Sequence, residues 1–475
     1  MSLLAPQISF RDENMRVPRY RLAKIPLNNL SSSSVNLSTS STTLLEWKIP
    51  ANSVINLSRS YLSYQLVVPA LAGNASCIHE SGCPIRDIYF GNSSGVGILD
   101  LKNADVFCEA TRPLKTSLKD FLSQDQISGH FPARQPASSN VLPFSRDGLS
   151  AGTEIASSVD QLEQQYLAVS NVLATAVTST KVWPLSNFKD TILSIDKDMA
   201  FGNDMYLRAF WNSQERLYYY TSTPAQPQSN VTLPTVSTTL NNVYLYLAIE
   251  ENRDVANSIM EALRSGSIRM KVPYPFSYRF STSGASTSSS FSFTLTKNYG
   301  SVLKRLHIVP YNGYEKGNQS YNHANVNGSK LTSFQVSLDG RPLSDAQITC
   351  YNPNSTIVPT GTVAPSNVFC EDYREMLPAL HSSCILNYPM FQTNWSYLQQ
   401  WGEQLNDAKL PDVEDSRIPD GLDLRNAGDR VISFTANCPA IAQATNENNA
   451  NGLIMYAMCL FQRDLLVAPD GIILQ

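Results

Sequence analysis

Charge is what this chain has least of. Only 16% of its 475 residues are Asp, Glu, Lys or Arg, against roughly a quarter in an average soluble domain. With a net charge of −4, the chain as a whole is excluded from phosphate-driven nucleic-acid binding, which Lys and Arg dominate. Long apolar runs are missing too. None approaches the roughly 18 residues of a spanning helix, and Met1–Phe10 lacks a charged start followed by an apolar stretch. The chain is therefore expected to be neither membrane-spanning nor secreted. Paired cysteine spacing is also lacking: Cys77, Cys83, Cys108, Cys350, Cys370, Cys384, Cys438 and Cys459 are scattered. That suits free, mostly buried thiols in a reducing compartment rather than a disulfide framework.

Signatures of chemistry are absent. There is no GxxxxGK[ST], GxSxG or HExxH. Gly91–Gly97 (GNSSGVG) resembles a phosphate loop loosely, but ILDLKN follows it instead of an amphipathic helix, so a hairpin loop is the plainer reading. The histidines His79, His130, His307, His323 and His381 make no pair at metal-ligand spacing. Cys77, His79 and Cys83 come nearest to a ligand cluster. Zinc needs a second ligand pair at short spacing, and a loop with two thiols is the simpler account. Asp412–Asp429 is rich in carboxylates but lacks the order of a calcium loop, and reads as a solvated acidic loop. No catalytic, cofactor-binding or metal-binding residue is assigned, no cofactor is expected, and the chain is not expected to be an enzyme.

What is present is a period of two. In Tyr61–Val68 (YLSYQLVV), Leu62, Tyr64, Leu66 and Val68 share one face. Val243, Leu245, Leu247 and Ile249 do the same in VYLYLAI, as do Phe334, Val336 and Leu338 in SFQVSL. These are half-buried strands. Leu453–Phe461 (LIMYAMCLF) is apolar at every position and is expected to be buried on both faces. Asp339-Gly340, Asp420-Gly421 and Asp470-Gly471 mark tight turns.

Helical patterns are few. Asp254–Ser265 carries Val255, Ile259, Ala262 and Leu263 on one face, with Asp254 placed to cap its start and Gly266 its end. Other candidates are Leu101–Ala110, Phe369–Leu377 and Asn394–Asn406, the last with a stripe of Trp395, Leu398, Trp401 and Leu405. Strand series lie on both sides of the mid-chain helix. The expected fold is mainly β, two tandem antiparallel domains of sandwich or jelly-roll type with a few short helices. The expected division is 1–42 as a basic arm (Arg11, Arg16, Arg19, Arg21, Lys24) with a Ser-rich linker, 43–253 as the first β domain, 254–266 as the linking helix and 267–475 as the second β domain. The arm could touch genome, membrane headgroups or a neighbouring subunit, or be a solvated tail ordered by packing.

Several segments resemble one family in the right order. Leu45–Pro50 (LEWKIP) followed by Ile55–Leu62 (INLSRSYL) is similar to the opening of double jelly-roll major capsid proteins of the polinton, polinton-like virus, adintovirus and virophage group. The mid-chain helix followed by Val272–Pro275 (VPYP), then Leu303–Val309 (LKRLHIV), Phe334–Leu343 (FQVSLDGRPL) and Glu371–Met376 (EDYREM), resembles the second half of those proteins. The resemblance runs from about residue 43 to the end; Ile85–Phe121 matches poorly. It implies two jelly rolls side by side, a homotrimer with a pseudo-hexameric outline, and tiles on an icosahedral shell around double-stranded DNA. It further implies contacts with neighbouring capsomers, penton and minor capsid proteins, and with genome or an internal membrane through the N-terminal arm. The location implied is the virion, assembled inside the host cell. Alternative expectations are a penton or minor capsid protein, a β-sandwich protein that binds or hydrolyses carbohydrate, and a carbohydrate-binding adhesin.

Overall fold

The computed structural model describes residues 19–32, 34–38, 41–68, 77–80, 83–93, 95–115, 177–213, 218–221, 238–266, 268–281, 288–312, 333–343, 347–349, 397–401, 421–424, 428–437, 453–469 and 471–474. Its framework is a strand pattern stated twice. The first half contributes β1 (Tyr20–Ile25), β2 (Thr43–Ile49), β3 (Val54–Val68), β4 (Ile85–Asn92), β5 (Gly97–Leu101), β6 (Val177–Pro184), β7 (Met205–Trp211) and β8 (Thr239–Glu250). The second contributes β9 (Ile268–Ser281), β10 (Ser288–Leu295), β11 (Val302–Asn312), β12 (Ser333–Leu338), β13 (Arg341–Pro342), β14 (Tyr397–Gln400), β15 (Arg430–Asn437) and β16 (Leu453–Ala468). The helix α1 (Ala104–Lys115) follows β5, and α2 (Arg253–Arg264) joins the halves.

Neighbour order in the first half is β1-β8-β3-β6 in one sheet and β2-β7-β4-β5 in the other. In the second half it is β9-β16-β11-β14 and β10-β15-β12-β13. Adding eight to each strand number of the first half reproduces the second. All pairings along these paths are antiparallel, and the first strand of each half lies beside its last. Two facing four-strand sheets connected this way make a jelly roll. The fold is therefore two antiparallel jelly rolls in tandem. Short strands extend the sheets, among them Met199–Ala200 on β3 and Gly471–Leu474 on β16.

Alternation decides which side chains fill each sandwich. Leu45, Trp47 and Ile49 of β2, Leu62, Tyr64 and Leu66 of β3, Leu207 and Trp211 of β7, and Val243, Leu245 and Leu247 of β8 are buried in the first core. There the ring of Tyr64 meets Trp211 edge-on at 4.8 Å. The second core is richer in phenyl rings. Phe293, Phe334 and Phe434 are buried, with Phe276, Tyr278, Phe280 and Phe291 packed against them. β9 carries Pro273 and Pro275, and among the described residues it stands at the edge of its sheet, paired with β16. An edge is where a residue without N–H fits, and it discourages further strand addition.

α2 lies where its sequence pattern puts it, with one difference in the cap. Asn252, not Asp254, is the N-cap: its side chain accepts from the Asp254 N–H at 3.1 Å. Asp254 sits in the first turn, where its charge suits the helix dipole. Gly266 ends the helix at φ 62° and donates its N–H to the Leu263 carbonyl.

Two expectations need correction. The stripe at 394–406 is not a helix where it is described: Tyr397–Gln400 is β14, paired from Ile308↔Tyr397 to Arg305↔Gln400. The free edge of β11 supplies a hydrogen-bonded partner there, and strand pairing overrides a local 3–4 spacing. The first jelly roll also begins before residue 43, because Tyr20–Ile25 is its first strand, paired along its length with β8. The candidate helix Phe369–Leu377 lies outside the described residues.

Candidate functional site: an internal seam and an open face

Of the two core clusters, the one built mainly by the first jelly roll takes in residues of the second as well. β16 alternates between them. Met455, Ala457, Cys459 and Phe461 point into the second sandwich. Tyr456 and Met458 point the other way, into the cluster built mainly by the first half. This is why Leu453–Phe461 is apolar at every position. β11 behaves alike: Leu306 and Ile308 face the second core, and Val309 faces the first. The outward face of the β9-β16-β11-β14 sheet is thus covered by the first jelly roll along β16 and β11, while Arg279 and Ser281 at the end of β9 stay exposed.

Charge crosses the same seam. Arg305 lies on β11 and donates from its guanidinium to the Asp190 carboxylate, which comes from the segment between β6 and β7. Both side chains are only 4% exposed. Burial of a charged pair is tolerable only when each partner offsets the other's desolvation. His307, two residues along the strand, is buried beside them. Burial first, and then the charge of Arg305, push its pKa down to about 3. At the other end of the seam Arg463 stacks over the Tyr274 ring at 3.3 Å from its centroid and donates to the Tyr299 carbonyl at 2.7 Å. Burial holds the Tyr274 hydroxyl above its ordinary range. Gly202 of the first half presses against the backbone carbonyl of Pro469 in the second, leaving no room for a Cβ.

Among the described residues the matching face of the first sheet, β1-β8-β3-β6, is exposed or half-buried around Leu22, Lys24 and Tyr246, although Ala248 on it is buried. Register places Lys24, Tyr246 and Tyr61 side by side, with Leu22 opposite Ala248 on the same face. The rings of Tyr61 and Tyr246 stack at 5.0 Å, and the Lys24 ammonium sits 3.8 Å over the Tyr244 ring. Leu22 is 48% exposed. Tyr61, Tyr244, Tyr246 and Val182 are half-buried.

The residues weighed for chemistry fall elsewhere. Gly91–Gly97 belongs to the β4–β5 hairpin, where Gly91 pairs with Gly97 and the Asn92 side chain accepts from the Val96 N–H at 3.0 Å. Tyr89 fills the space beside both glycines. Cys83 is buried, its thiol donating to the Ile85 carbonyl at 3.6 Å. Cys77 and His79 stand on a short strand, Cys77–Glu80. Within Asp412–Asp429, Leu422–Asp423 pairs with β11. Among the described residues no group of three or more His, Cys, Asp or Glu side chains could hold a metal ion, and no helix is long and apolar enough to cross a membrane. His130, His323, His381, Arg11 and Arg16 lie outside the described residues.

Arg305 and Asp190 were not singled out from sequence, and His307 was weighed there only for metal-ligand spacing. Their one local signal is the charged dipeptide Lys304-Arg305 inside an otherwise apolar strand. The tyrosines of the open face had a signal too, since they occupy the alternate positions of the two strands read as half-buried.

No family model and no curated protein matches the chain. Solved structures do. PBCV-1 VP54, fitted into a cryo-EM reconstruction of the virophage Sputnik, is similar with a TM-score of 0.52 at 10% identity, covering 97% of each chain. A chain of the Sputnik virophage itself gives 0.52 at 9% identity, over 97% of this chain and 88% of that one. The mavirus major capsid protein gives 0.50 at 8% identity, over 96% and 90%. These likenesses establish the double jelly-roll fold along nearly the whole chain.

Proposed function

We propose that this chain is a major capsid protein: a structural, non-enzymatic subunit of the icosahedral shell of a double-stranded DNA virus. Three copies close into a homotrimer with six jelly rolls and a pseudo-hexagonal outline, and these tiles cover the shell faces. The observation that carries this reading is the internal repeat, two jelly rolls of identical strand order in head-to-tail contact. The fold likeness to the mavirus major capsid protein over 96% of the chain supports it. Low charge supports it as well, because large closed interfaces are poor in charged residues at their centres.

In this reading the segment before β1 is the arm, on the inner side of the shell. It meets neighbouring capsomers, penton or minor capsid proteins, or the genome or an internal membrane. Assembly takes place inside the host cell, and the protein resides in the virion. Light scattering on the purified full-length chain tests the proposal: a mass of three chains, with larger shells at higher concentration, is expected. A stable monomer at micromolar concentration overturns it, as does glycan hydrolysis abolished by a single Asp or Glu substitution.

A further inference from the structure

The first strands of the two halves match by topology and differ in how they are held. β9 has four consecutive buried residues, Val272 to Pro275, among its 14. β1 has none among its six, and Arg21, Leu22 and Lys24 are exposed. Side-chain burial therefore contributes little to keeping β1 in place. Hydrogen bonds hold it, and those made outside the strand pairing gather at two clasps.

The first clasp is where the chain enters the described body. The Glu250 side chain is buried, and its Oε1 accepts from the N–H of Arg19 at 2.8 Å and of Asn252 at 2.6 Å. The Glu251 N–H donates to the Arg19 carbonyl at 2.6 Å. The Tyr20 hydroxyl donates to the Asp198 carboxylate at 2.8 Å. The second clasp lies past β1, on β2, which is an edge strand of the opposite sheet among the described residues. The Asn29 side chain donates to the Leu44 carbonyl at 2.9 Å and accepts from the Glu46 N–H at 3.0 Å. The Asn28 N–H donates to the Glu46 carbonyl at 2.7 Å. One amide side chain thus makes the pair of bonds that a neighbouring strand would make. Between the clasps only Leu27 is buried, and beyond them Leu30, Ser31 and Ser32 are exposed.

We infer that residues 19–29 form a strap, shut at these two clasps, which opens as one unit and so gates main-chain pairing at two sheet edges, β8 in one sheet and β2 in the other. While shut, the strap keeps both edges from adding a strand. Once open, it leaves rows of N–H and C=O groups that fit an extended segment. The segment that restores every lost bond is the same strap of a second copy. With a single buried leucine, the strap is a unit of low stability beside strands whose side chains fill the cores.

The test uses the full chain. Hydrogen exchange followed by mass spectrometry is compared between wild type and two variants, Glu250→Gln at the first clasp and Asn29→Ala at the second. Peptides covering β1 are expected to exchange at least about tenfold faster in Glu250→Gln, which loses charge-assisted bonds. Peptides covering β3, β9 and β16 are expected to keep their wild-type rates. Asn29→Ala is expected to speed β1 as well, because the two ends open together. Acceleration confined to the substituted end, or none in β1, overturns the inference. If Glu250→Gln does not fold, Asn29→Ala decides, since its side chain is exposed. Pairing at the freed edges is read with a fluorescein-labelled synthetic peptide of residues 19–29. By fluorescence anisotropy it is expected to bind Glu250→Gln, or Asn29→Ala in its place, about tenfold more tightly than wild type, because the open state is more populated. Equal affinity for variant and wild type overturns the gating. Either failure leaves the capsid reading standing, since that reading is tested by the mass of the wild-type assembly.

Discussion

Two arginines on matched strands show what separates the halves. Arg59 lies on β3 and Arg305 on the corresponding strand β11, each where the pairing register with its sheet's last strand shifts. Each finds an aspartate in the same connection, between β6 and β7. Arg59 pairs with Asp196 at 3.0 Å, with side chains 52% and 59% exposed. Arg305 pairs with Asp190, both 4% exposed. The first pair ties a loop to its own sheet. The second ties one jelly roll to the other. One topology, used twice, has been given a closed face and an open face, and the surroundings of each pair set its energetic weight.

The largest expected effect follows from the buried pair. Asp190→Ala strands the Arg305 guanidinium in the seam, and an uncompensated buried charge costs about 3–5 kcal/mol. Denaturant unfolding is expected to show that loss, together with a separation of the two jelly rolls into distinct transitions. If Asp190→Ala costs less than about 1 kcal/mol, the seam is wetter than its burial indicates and the contrast between the faces collapses. A smaller loss is expected at Gly202. A methyl there collides with the Pro469 carbonyl, which is backbone and cannot swing aside, so the loops must part. Gly202→Ala is expected to cost about 1–3 kcal/mol, in line with over-packed sites. Gly340→Ala makes a contrasting control, since a Cβ there meets nothing and only its φ of 77° is strained.

How much of this was visible beforehand differs between the levels of structure. Faces of strands were legible because burial on one side writes a period of two into the sequence: Leu62, Tyr64 and Leu66 face the core as expected. The continuous apolar run of β16 announced burial on both sides, though not what covered the second side. β1 was illegible. In YRLAKI Leu22 and Lys24 share one face while the exposed Arg21 alternates with Ala23 and Ile25 on the other, so each face mixes polar with apolar and no alternation survives. β14 was misread because four residues with helix-like spacing are too few to outweigh a pairing partner about ninety positions away. Asp190 and Arg305 stand 115 positions apart; the Lys304-Arg305 dipeptide within β11 is a local signal for the arginine, but nothing local to Asp190 marks it as the partner.

Acid probes the closed face more gently. In the unfolded chain His307 titrates near 6.5, and in the fold burial lowers it to about 3. The folded form therefore prefers the neutral ring. Its contribution is complete above about pH 6.5 and is lost as pH falls from there toward 3. Lowering pH from 7.5 to 5.5 is expected to remove roughly 1 kcal/mol through this group, at about 1.4 kcal/mol per pH unit below its unfolded pKa. His307→Gln is expected to flatten that part of the pH dependence of urea unfolding. An unchanged slope in the variant means the ring is not shut in by the first jelly roll.

The smallest effect is expected at the exposed pair, and it is the control on which the comparison turns. Asp196 accepts from Arg59, and also from the Asn56 side chain at 3.0 Å and the Ser58 hydroxyl at 3.3 Å. Those groups hold its carboxyl below the usual range, with the Arg59 hydrogen bond the largest cause. Water reaches both members of the ion pair, so its loss costs only about 0.2–1 kcal/mol. Asn56 keeps a bond to Asp198, which limits the damage further. Asp196→Ala is therefore expected to shift the unfolding midpoint slightly, and less still in high salt, where an exposed pair is screened. Asp190→Ala is expected to keep its full cost in the same salt. If the two substitutions respond alike to salt, the faces of the two sheets do not differ in the way their burial implies.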